Sequence, residues 1–319
     1  MKPTIVTTAV TALLVGVSLL PGTTANAAPR PDTYSLPGDV GGSRFEGIGY
    51  DQRRDLFYVS ETTGGEIHRG DVRGGAATQW LAGDGTDGRW TARGVTVDRH
   101  GRVYVAGGPN GIDHPGAPDL WVYDRTGELL AALRVGGSNV FLNDIAIGPD
   151  GAAYVTNSNA PHVYRVALGA DGWGIDLWAD ATGTIAVQPG FNLGGIVAPA
   201  DGRSLLVAQG NVGKLWRFDL RTRTTTQVDT GTADLVNADG LVLQGNHLWV
   251  VRNFSRSLTT LKLANDGASA RLVDERATDP TRVFTTAKLA HGRLLLVDSK
   301  FDEPTPQAPY QVVALRPTR

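Results

Sequence analysis

Residues 142–156 read LNDIAIGPDGAAYVT, and this stretch shows the unit from which the chain is built. Its two apolar segments flank the turn Pro149-Asp150-Gly151, and two further apolar segments follow. Short apolar segments separated by such turns predict β-strands that pair into an antiparallel sheet. The strands predicted for this unit are residues 144–148, 152–156, 163–166 and 175–179.

The same phrase, a strand that ends in an apolar pair, returns six times along the chain. The second residues of these pairs are 43 to 52 residues apart. A period in this range, filled with short strands, is typical of β-propeller blades, whose inner strands surround one channel. The six pairs are Tyr58-Val59, Tyr104-Val105, Tyr154-Val155, Leu206-Val207, Trp249-Val250 and Leu296-Val297.

The two ends of the chain predict a closed ring. The sixth repeat begins near Phe284 and reaches its third strand at residues 310–315, where the chain stops. We expect residues 33–36 to supply the missing outer strand, because a propeller then has no open edge between its first and last blades. The sequence therefore predicts an all-β, six-bladed propeller of four-stranded antiparallel blades in a single domain, residues 28–319.

Residues 1–27 have the composition of a secretory signal peptide. Lys2 precedes an apolar run from Ile5 to Leu20, and Ala25-Asn26-Ala27 offers small residues for cleavage. The apolar run is short for a bilayer and contains threonines, which argues against a stable membrane anchor. The sequence predicts a secreted protein that is cleaved near Ala27.

The rest of the composition limits the partners. The chain has no Cys, which excludes disulfides and thiolate metal sites. Without the leader, 29 Lys and Arg face 32 Asp and Glu, for a formal charge of −3. This charge, without basic clusters, argues against nucleic acid as a partner. We expect a monomer that binds a small-molecule substrate or ligand.

One position of the repeat varies in residue type, whereas the positions next to it are nearly constant. It lies two residues before the first aliphatic residue of each predicted inner strand, so the six copies should surround one end of the channel. The residue that follows is Gly in four repeats, whereas the position itself varies and is often polar. We therefore interpret the six copies of this position as a functional ring. They are Glu46, Arg93, Asn143, Gly194, Asp239 and Ala287.

The oxygen-bearing residues of this ring indicate a hard-cation site. Glu46, Asp239 and Asn143 offer the carboxylate and carboxamide oxygens that Ca²⁺ prefers, and Zn²⁺ or Mn²⁺ are the alternatives. A second interpretation is a metal-free network in which Arg93 and Lys288 neutralise the two carboxylates. Arg93 itself either binds a substrate carboxylate or phosphate, or serves as the counter-ion of Glu46.

Three phrases in this order resemble a known superfamily. Phe45-Glu46-Gly47-Ile48, Leu142-Asn143-Asp144-Ile145-Ala146 and Ala238-Asp239-Gly240-Leu241 are similar to motifs of the SMP-30/gluconolactonase/paraoxonase-like six-bladed propellers. The resemblance implies that Glu46 and Asp239 coordinate one divalent cation and that Asn143 binds the metal or a nearby substrate. It also implies hydrolysis of lactones or other esters. Strictosidine-synthase-like relatives use the same scaffold without metal.

The chain departs from that superfamily in its fourth repeat. A ligand Asn is common at the position where this chain has Gly194. Asn192, two residues upstream, is the candidate replacement, and the alternatives are a water molecule or a degenerate site. Ca²⁺ tolerates such variation in its coordination.

We expect the cation to polarise a lactone or ester carbonyl, with Asp239 and Glu46 as the catalytic carboxylates and Asp239 or another carboxylate deprotonating water. The loop Gly107–Asp119 has the length of a lid, and its His114 is an acid-base candidate for substrate binding or a solvated side chain. The predicted function is a secreted, divalent-cation-dependent hydrolase of lactones or related esters. The alternatives are a non-enzymatic propeller that binds a ligand or partner, and a strictosidine-synthase-like enzyme of secondary metabolism.

Overall fold

The computed structural model describes Met1, Pro3, Thr4 and residues 29–318. Within them, twenty-four strands form six four-stranded antiparallel sheets, arranged as a six-bladed β-propeller with almost no helix. This confirms the predicted fold. Apart from Met1, Pro3 and Thr4, the predicted signal peptide lies outside the described residues. Among the residues that the structure describes, no helix is long and apolar enough to cross a membrane.

Each blade follows the chain from an inner to an outer strand. Blade 1 is β2 (Phe45–Asp51), β3 (Leu56–Glu61), β4 (Ile67–Asp71) and β5 (Ala77–Leu81). Blade 2 is β6 (Val95–Val97), β7 (Val103–Ala106), β8 (Leu120–Tyr123) and β9 (Leu129–Leu133). Blade 3 is β10 (Leu142–Ile147), β11 (Ala153–Asn157), β12 (His162–Gly169) and β13 (Gly172–Asp180).

The later blades have the same order. Blade 4 is β14 (Leu193–Val197), β15 (Ser204–Gln209), β16 (Lys214–Asp219) and β17 (Thr225–Gln227). Blade 5 is β18 (Ala238–Gln244), β19 (His247–Arg252), β20 (Ser257–Leu263) and β21 (Ala270–Ala277). Blade 6 is β22 (Phe284–Ala290), β23 (Arg293–Asp298), β24 (Tyr310–Leu315) and β1 (Thr33–Leu36). A helical turn at Asn110–Asp113 and a 3₁₀ turn at Gly210–Val212 lie in loops.

The ring closes through strand β1, as the sequence predicts. Tyr34 of β1 pairs with Val312 of β24, so blade 6 combines residues from both ends of the described chain. The Tyr34 side chain is fully buried, and its hydroxyl donates to the Val72 carbonyl at 2.8 Å. The closing strand therefore also joins blade 6 to blade 1.

The hydrophobic core lies between neighbouring blades. One cluster combines Tyr104 and Val122 of blade 2 with Ile145 and Val155 of blade 3. Because each blade is covered on both faces, its middle strands carry near-continuous apolar residues instead of an alternating pattern. Stability is distributed over successive blade-to-blade interfaces, as in other repeat proteins.

Five inner strands contain a β-bulge at the same place. In blade 1, Phe45 pairs with Glu61 and Ile48 pairs with Val59, so Glu46 and Gly47 together lie opposite the single residue Ser60. A bulge of this kind turns a side chain out of its regular alternation and is frequent beside active sites. The other bulged pairs are Asn143-Asp144, Gly194-Gly195, Asp239-Gly240 and Thr285-Thr286.

The sixth blade corrects the sequence alignment. Ala287 pairs with Leu296, so Ala287 takes the place of Ile48 and the ring residue of this blade is Thr285. The sequence pattern points to Ala287 because Leu289 is the first large aliphatic residue of β22, whereas small Ala287 takes the place of the aliphatic residue in the structure. Lys288 lies farther along β22, beside Leu295, and forms no ion pair within the described residues.

The second bulge residue explains the repeated glycine. A Cβ on Gly47 would lie 2.2 Å from the Arg93 carbonyl oxygen, and one on Gly195 would lie equally close to the Asp239 carbonyl. These distances are shorter than any non-bonded contact that a side chain tolerates. Neighbouring inner strands therefore touch through glycine, and this contact fixes where each ring residue lies.

Candidate functional site

A cavity of about 280 Å³ lies at one end of the channel. Its floor contains four of the six residues in the predicted ring, and Gly194 also lines its wall. The structure thus brings together the candidates that the sequence separates by almost 200 positions, since three of the floor residues occupy equivalent bulges and Arg93 directly precedes the inner strand β6. The four floor residues are Glu46, Arg93, Asn143 and Asp239.

Arg93 and Glu46 form an ion pair in the floor of the cavity. The Arg93 Nη1 donates to Glu46 Oε2 at 2.7 Å, and the Arg93 side chain is 19% exposed. The guanidinium carbon lies 5.1 Å from the centre of the Phe141 ring and 5.9 Å from that of Phe301. Arg93 is therefore a counter-ion of Glu46 that is also held between two aromatic rings.

The stem of Arg93 depends on a glycine. Gly108 has a positive φ of 52°, and a Cβ on it would lie 2.7 Å from Arg93 Cγ. A larger residue at this position would push the arginine stem away. The first residues of the predicted lid loop, Gly107–Asp119, thus contact Arg93 and help to form the cavity floor.

Asp239 is held by a neighbour, Asn253, and sequence reasoning missed this contact. Asn253, at the end of β19, donates from Nδ2 to Asp239 Oδ2 at 2.8 Å. Asn253 in turn accepts the backbone N–H of Phe254 through its Oδ1 at 2.6 Å. These bonds fix the carboxylate and leave Asp239 Oδ1 on the side of Gly194, where a Cβ would be 3.8 Å away.

The carboxamide of Asn143 is oriented by hydrogen bonds across the blade interface. Its Nδ2 donates to Ser158 Oγ at 2.9 Å, and that hydroxyl donates to the Leu193 carbonyl at 2.8 Å. Because the nitrogen is engaged, Asn143 Oδ1 is the atom that remains for a ligand, and no donor within residues 29–318 occupies it.

Asp144 adds a third carboxylate, which sequence reasoning also missed. Its oxygens accept the backbone N–H groups of Ile145 at 2.8 Å and Ile196 at 3.2 Å. It borders a small chamber directly below the ring, together with Thr286. The sequence feature that could have identified Asp144 is its position, because four other repeats have Gly there.

Among the described residues, the one cation that forms an ion pair with any of these three carboxylates is Arg93, which is paired with Glu46. Burial raises the pKa of Glu46, and the nearby charge of Asp144 raises it further against the opposing effect of Arg93. Burial and then the charge of Glu46 raise the pKa of Asp239 well above its usual range. The floor therefore has an excess of buried negative charge, and oxygen donors with such an excess fit a divalent cation.

Asn192 is not arranged as a ligand. Its Oδ1 accepts hydrogen bonds from the Gln188 N–H at 2.8 Å, Gln209 Nε2 at 3.1 Å and Asn211 Nδ2 at 3.1 Å. Its Nδ2 donates to the Gln188 carbonyl at 2.9 Å. The side chain lines the cavity but holds the preceding loop together, so its oxygen has no capacity left for a metal. We therefore leave Asn192 out of the proposed ligand set.

His114 lies outside the cavity. It is exposed and stacks on Trp90, with ring centres 4.8 Å apart. The loop around it is anchored by buried Asn110, which accepts the Trp90 N–H and donates to the carbonyls of Gly88 and Pro118. The structure thus separates His114 from the other predicted site residues. Of the two interpretations of His114, its position agrees with a solvated side chain.

The mouth of the cavity is aromatic. Four phenylalanines line it, one from each of four consecutive blades, and the side chains of Phe191 and Phe254 are 60% and 50% exposed. Sequence reasoning missed these residues because they lie in loops outside the aligned strands. We call this group the phenylalanine mouth; it consists of Phe141, Phe191, Phe254 and Phe301.

No protein family matches this sequence, and no curated protein matches it either. Solved structures do resemble it. A gluconolactonase from Xanthomonas campestris is 16% identical with a TM-score of 0.60, covering 91% of this chain and 99% of that one. Regucalcin, a calcium-binding protein from Agrobacterium tumefaciens, is 16% identical with a TM-score of 0.60, covering 89% and 97%.

A third structure, virginiamycin B lyase from Staphylococcus aureus, is 12% identical with a TM-score of 0.58, covering 90% of this chain and 98% of that one. At these identities, the three similarities show the propeller fold alone. The chemistry of this chain has to be argued from its own cavity.

Proposed function

We propose that this protein is a divalent-cation-dependent hydrolase of lactones or related esters. One observation carries the proposal: two carboxylates with raised pKa and an oriented carboxamide meet at the floor of a cavity that admits a small molecule. Perturbed carboxylates in a cleft are typical of functional sites. The similarity to a gluconolactonase and to regucalcin agrees with this choice.

The residues that would hold the cation are Glu46, Asn143 and Asp239, with water beside Gly194 in place of a fourth side chain. Ca²⁺ is our first choice, because all donors are hard oxygens and no His lines the cavity. A bound cation would supply Lewis acidity that polarises the carbonyl and stabilises the oxyanion.

The chain itself supplies positioning and proton transfer. Asn253 fixes the Asp239 carboxylate, whose raised pKa suits a general base that accepts a proton from water. Glu46 holds Arg93 in the cavity lining, where a guanidinium N–H that is not bound to Glu46 would donate to the acyl oxygen or to a substrate carboxylate. The phenylalanine mouth limits the access of bulk water.

The test compares cation binding with hydrolysis. We expect the purified protein to bind about one Ca²⁺ by isothermal titration calorimetry and to hydrolyse members of a lactone and aryl-ester panel. Chelation should abolish the hydrolysis, and Ca²⁺ should restore it. Asp239→Asn and Glu46→Gln should each weaken cation binding and hydrolysis by about 100-fold or more.

The matched control is Asp150→Asn, which removes a carboxylate from an ion pair outside the cavity. It should leave cation binding and hydrolysis unchanged. Hydrolysis that survives thorough chelation would contradict the cation requirement. Ligand binding without turnover of any panel member would favour the non-enzymatic alternative.

We also propose that the protein is secreted and acts as a monomer on a small molecule. The signal-like composition of residues 1–27 and a cavity of small-molecule size lined by a single chain support these proposals. The mass of the exported protein and its elution volume in size-exclusion chromatography test them.

A further inference from the structure

Two rings of the phenylalanine mouth, Phe191 and Phe254, are exposed beside a charged floor. Phe191 and Phe141 contact each other with ring centres 5.0 Å apart, and Phe141 continues to the Arg93 guanidinium. Phe254 follows Asn253, which holds Asp239, so this ring lies directly beyond the ligand set. Exposed rings that converge on a cavity mark a binding surface for an apolar group.

The amide nitrogens of the wall donate within the protein, whereas Asn143 Oδ1 and Asn211 Oδ1 accept no hydrogen bond from the described residues. Five asparagines line the cavity, and the Nδ2 of each donates to another protein group. A polyhydroxylated ligand needs free donors and acceptors for each hydroxyl, and unpaired hydroxyls are costly to desolvate. The five donations are Asn143 to Ser158, Asn192 to Gln188, Asn211 to Pro189, Asn237 to Ser255, and Asn253 to Asp239.

The cavity therefore has a polar floor, a wall whose amide nitrogens already donate within the protein, and an apolar mouth. Its volume of about 280 Å³ is near the lower end of small-molecule pockets, which measure about 300–1,000 Å³. A ligand that matches this arrangement has one carbonyl group, directed at the floor, and one apolar ring, enclosed by the mouth. A peptide segment or a polyol matches it less well.

We propose that the site selects small, neutral lactones or esters that carry an apolar ring, and discriminates against polyhydroxylated lactones. Phe191 and Phe254 are the specificity-determining residues, because their exposed rings close over the substituent while the carbonyl meets the floor. This inference rests on the proposed function, since it names the substrate class of the same site.

The experiment uses lactams, whose amide bond resists hydrolysis, so that binding is measured separately from turnover. Three probes share one ring: pyrrolidin-2-one, its 5-phenyl derivative and its 5-(1,2-dihydroxyethyl) derivative. Calorimetric titration in Ca²⁺ buffer gives the dissociation constant of each. We expect the phenyl derivative to bind about tenfold or more tightly than either of the other two, which corresponds to about 1.4 kcal/mol.

Substitutions then assign this preference to the mouth. Phe191→Ser and Phe254→Ser should each reduce the advantage of the phenyl derivative over pyrrolidin-2-one by about fivefold. Leu168→Ser is the matched control, because Leu168 is 57% exposed on the outer β12–β13 hairpin, away from the cavity. It should leave the advantage unchanged.

Three results would overturn the inference: equal or tighter binding of the dihydroxyethyl derivative, an unchanged phenyl advantage in both Phe variants, or no binding of any probe. Failure of the proposed function looks different. A phenyl preference without hydrolysis of any lactone or ester would reject the hydrolase function and keep the proposed specificity. Hydrolysis of polyhydroxylated lactones alone would reject the proposed specificity and keep the hydrolase function.

Discussion

Arg93 shows how one residue sets the charge of the whole ring. Within residues 29–318, its guanidinium is the one cation that lines the cavity with the carboxylates, and it is bound to one proposed cation ligand, Glu46. Two roles follow from this position. Arg93 lowers the cost of burying Glu46, and it competes electrostatically with any cation that binds the same carboxylate.

This competition leads to a prediction for Arg93→Gln. Loss of the positive charge should tighten Ca²⁺ binding at about pH 8 by roughly tenfold, because a nearby charge in a partly buried site contributes on the order of 1.4 kcal/mol. The same variant should melt at a lower temperature when the cation is chelated, since Glu46 loses its counter-ion. Calorimetric titration and thermal unfolding measure the two effects. Weaker Ca²⁺ binding would show instead that Arg93 is needed to orient Glu46.

Asp239 leads to a prediction about pH. Burial and the charge of Glu46 raise its folded-state pKa, so its contribution to stability is greatest below the unfolded pKa and is lost as pH rises through the folded value. The chelated protein should therefore lose stability as pH rises from about 4 toward neutrality. Asp239→Asn should flatten this slope and raise the melting temperature of the chelated protein at neutral pH.

The control for that experiment is Asp124→Asn. The Thr126 hydroxyl donates to Asp124 and lowers its pKa, so this carboxylate stabilises the fold above its unfolded pKa and not below it. Its replacement should leave the melting temperature at neutral pH unchanged or lower it. A lower melting temperature for Asp239→Asn would contradict the assigned direction of the Asp239 pKa.

At the scale of the element, the inner strand is defined by its bulge. Two residues of the strand lie opposite one residue of its neighbour, which places the first in the ring and the second against the next blade. Short side-chain bonds reinforce this arrangement: the Thr285 hydroxyl donates to the Glu46 carbonyl at 2.8 Å, and the Thr156 hydroxyl donates to the Gly194 carbonyl at 2.7 Å. Five of the six ring positions thus lie on strands, and Arg93 lies just before strand β6.

Gly47→Ala tests the bulge contact. The new Cβ would lie 2.2 Å from the Arg93 carbonyl oxygen and 2.8 Å from the Val95 nitrogen, and neither backbone atom has room to retreat. We expect a loss of about 1–3 kcal/mol in the free energy of unfolding, measured with urea. Gly174→Ala is the control, because nothing lies within 4 Å of its Cβ position on β13. Equal stability of the two variants would show that the inner strands separate easily.

At the scale of the whole molecule, closure depends on strand β1. This strand pairs with β24 and inserts buried Tyr34 between blades 6 and 1. A chain that begins at Pro37 should leave the β24 edge unpaired, which lowers the melting temperature and favours aggregation. A chain that begins at Pro31 keeps β1 and should behave like the longer protein. Thermal unfolding and size-exclusion chromatography compare the two, and equal behaviour would mean that the ring does not need its closing strand.

Much of the architecture was predictable because it repeats. The period of the apolar pairs predicts six blades, and residues 33–36 were correctly assigned to the last one. The alignment is wrong in blade 6, where Leu296, not Val297, occupies the position of Val59. Residues 294–297 are all apolar, so the apolar pattern alone does not decide which pair of this run is equivalent to the pairs of the other blades.

The sequence by itself determined the fold and the equivalence of the ring positions, because both depend on residues that recur at nearly constant spacing. Only the tertiary structure decided which groups meet. In the folded chain Arg93 binds Glu46, and Asn253 donates to Asp239. The Asn192 carboxamide is hydrogen-bonded within its own loop, and His114 stacks on Trp90 outside the cavity. The physical reason is that a repeat specifies backbone position, whereas the direction and hydrogen bonds of a side chain depend on neighbours contributed by other blades.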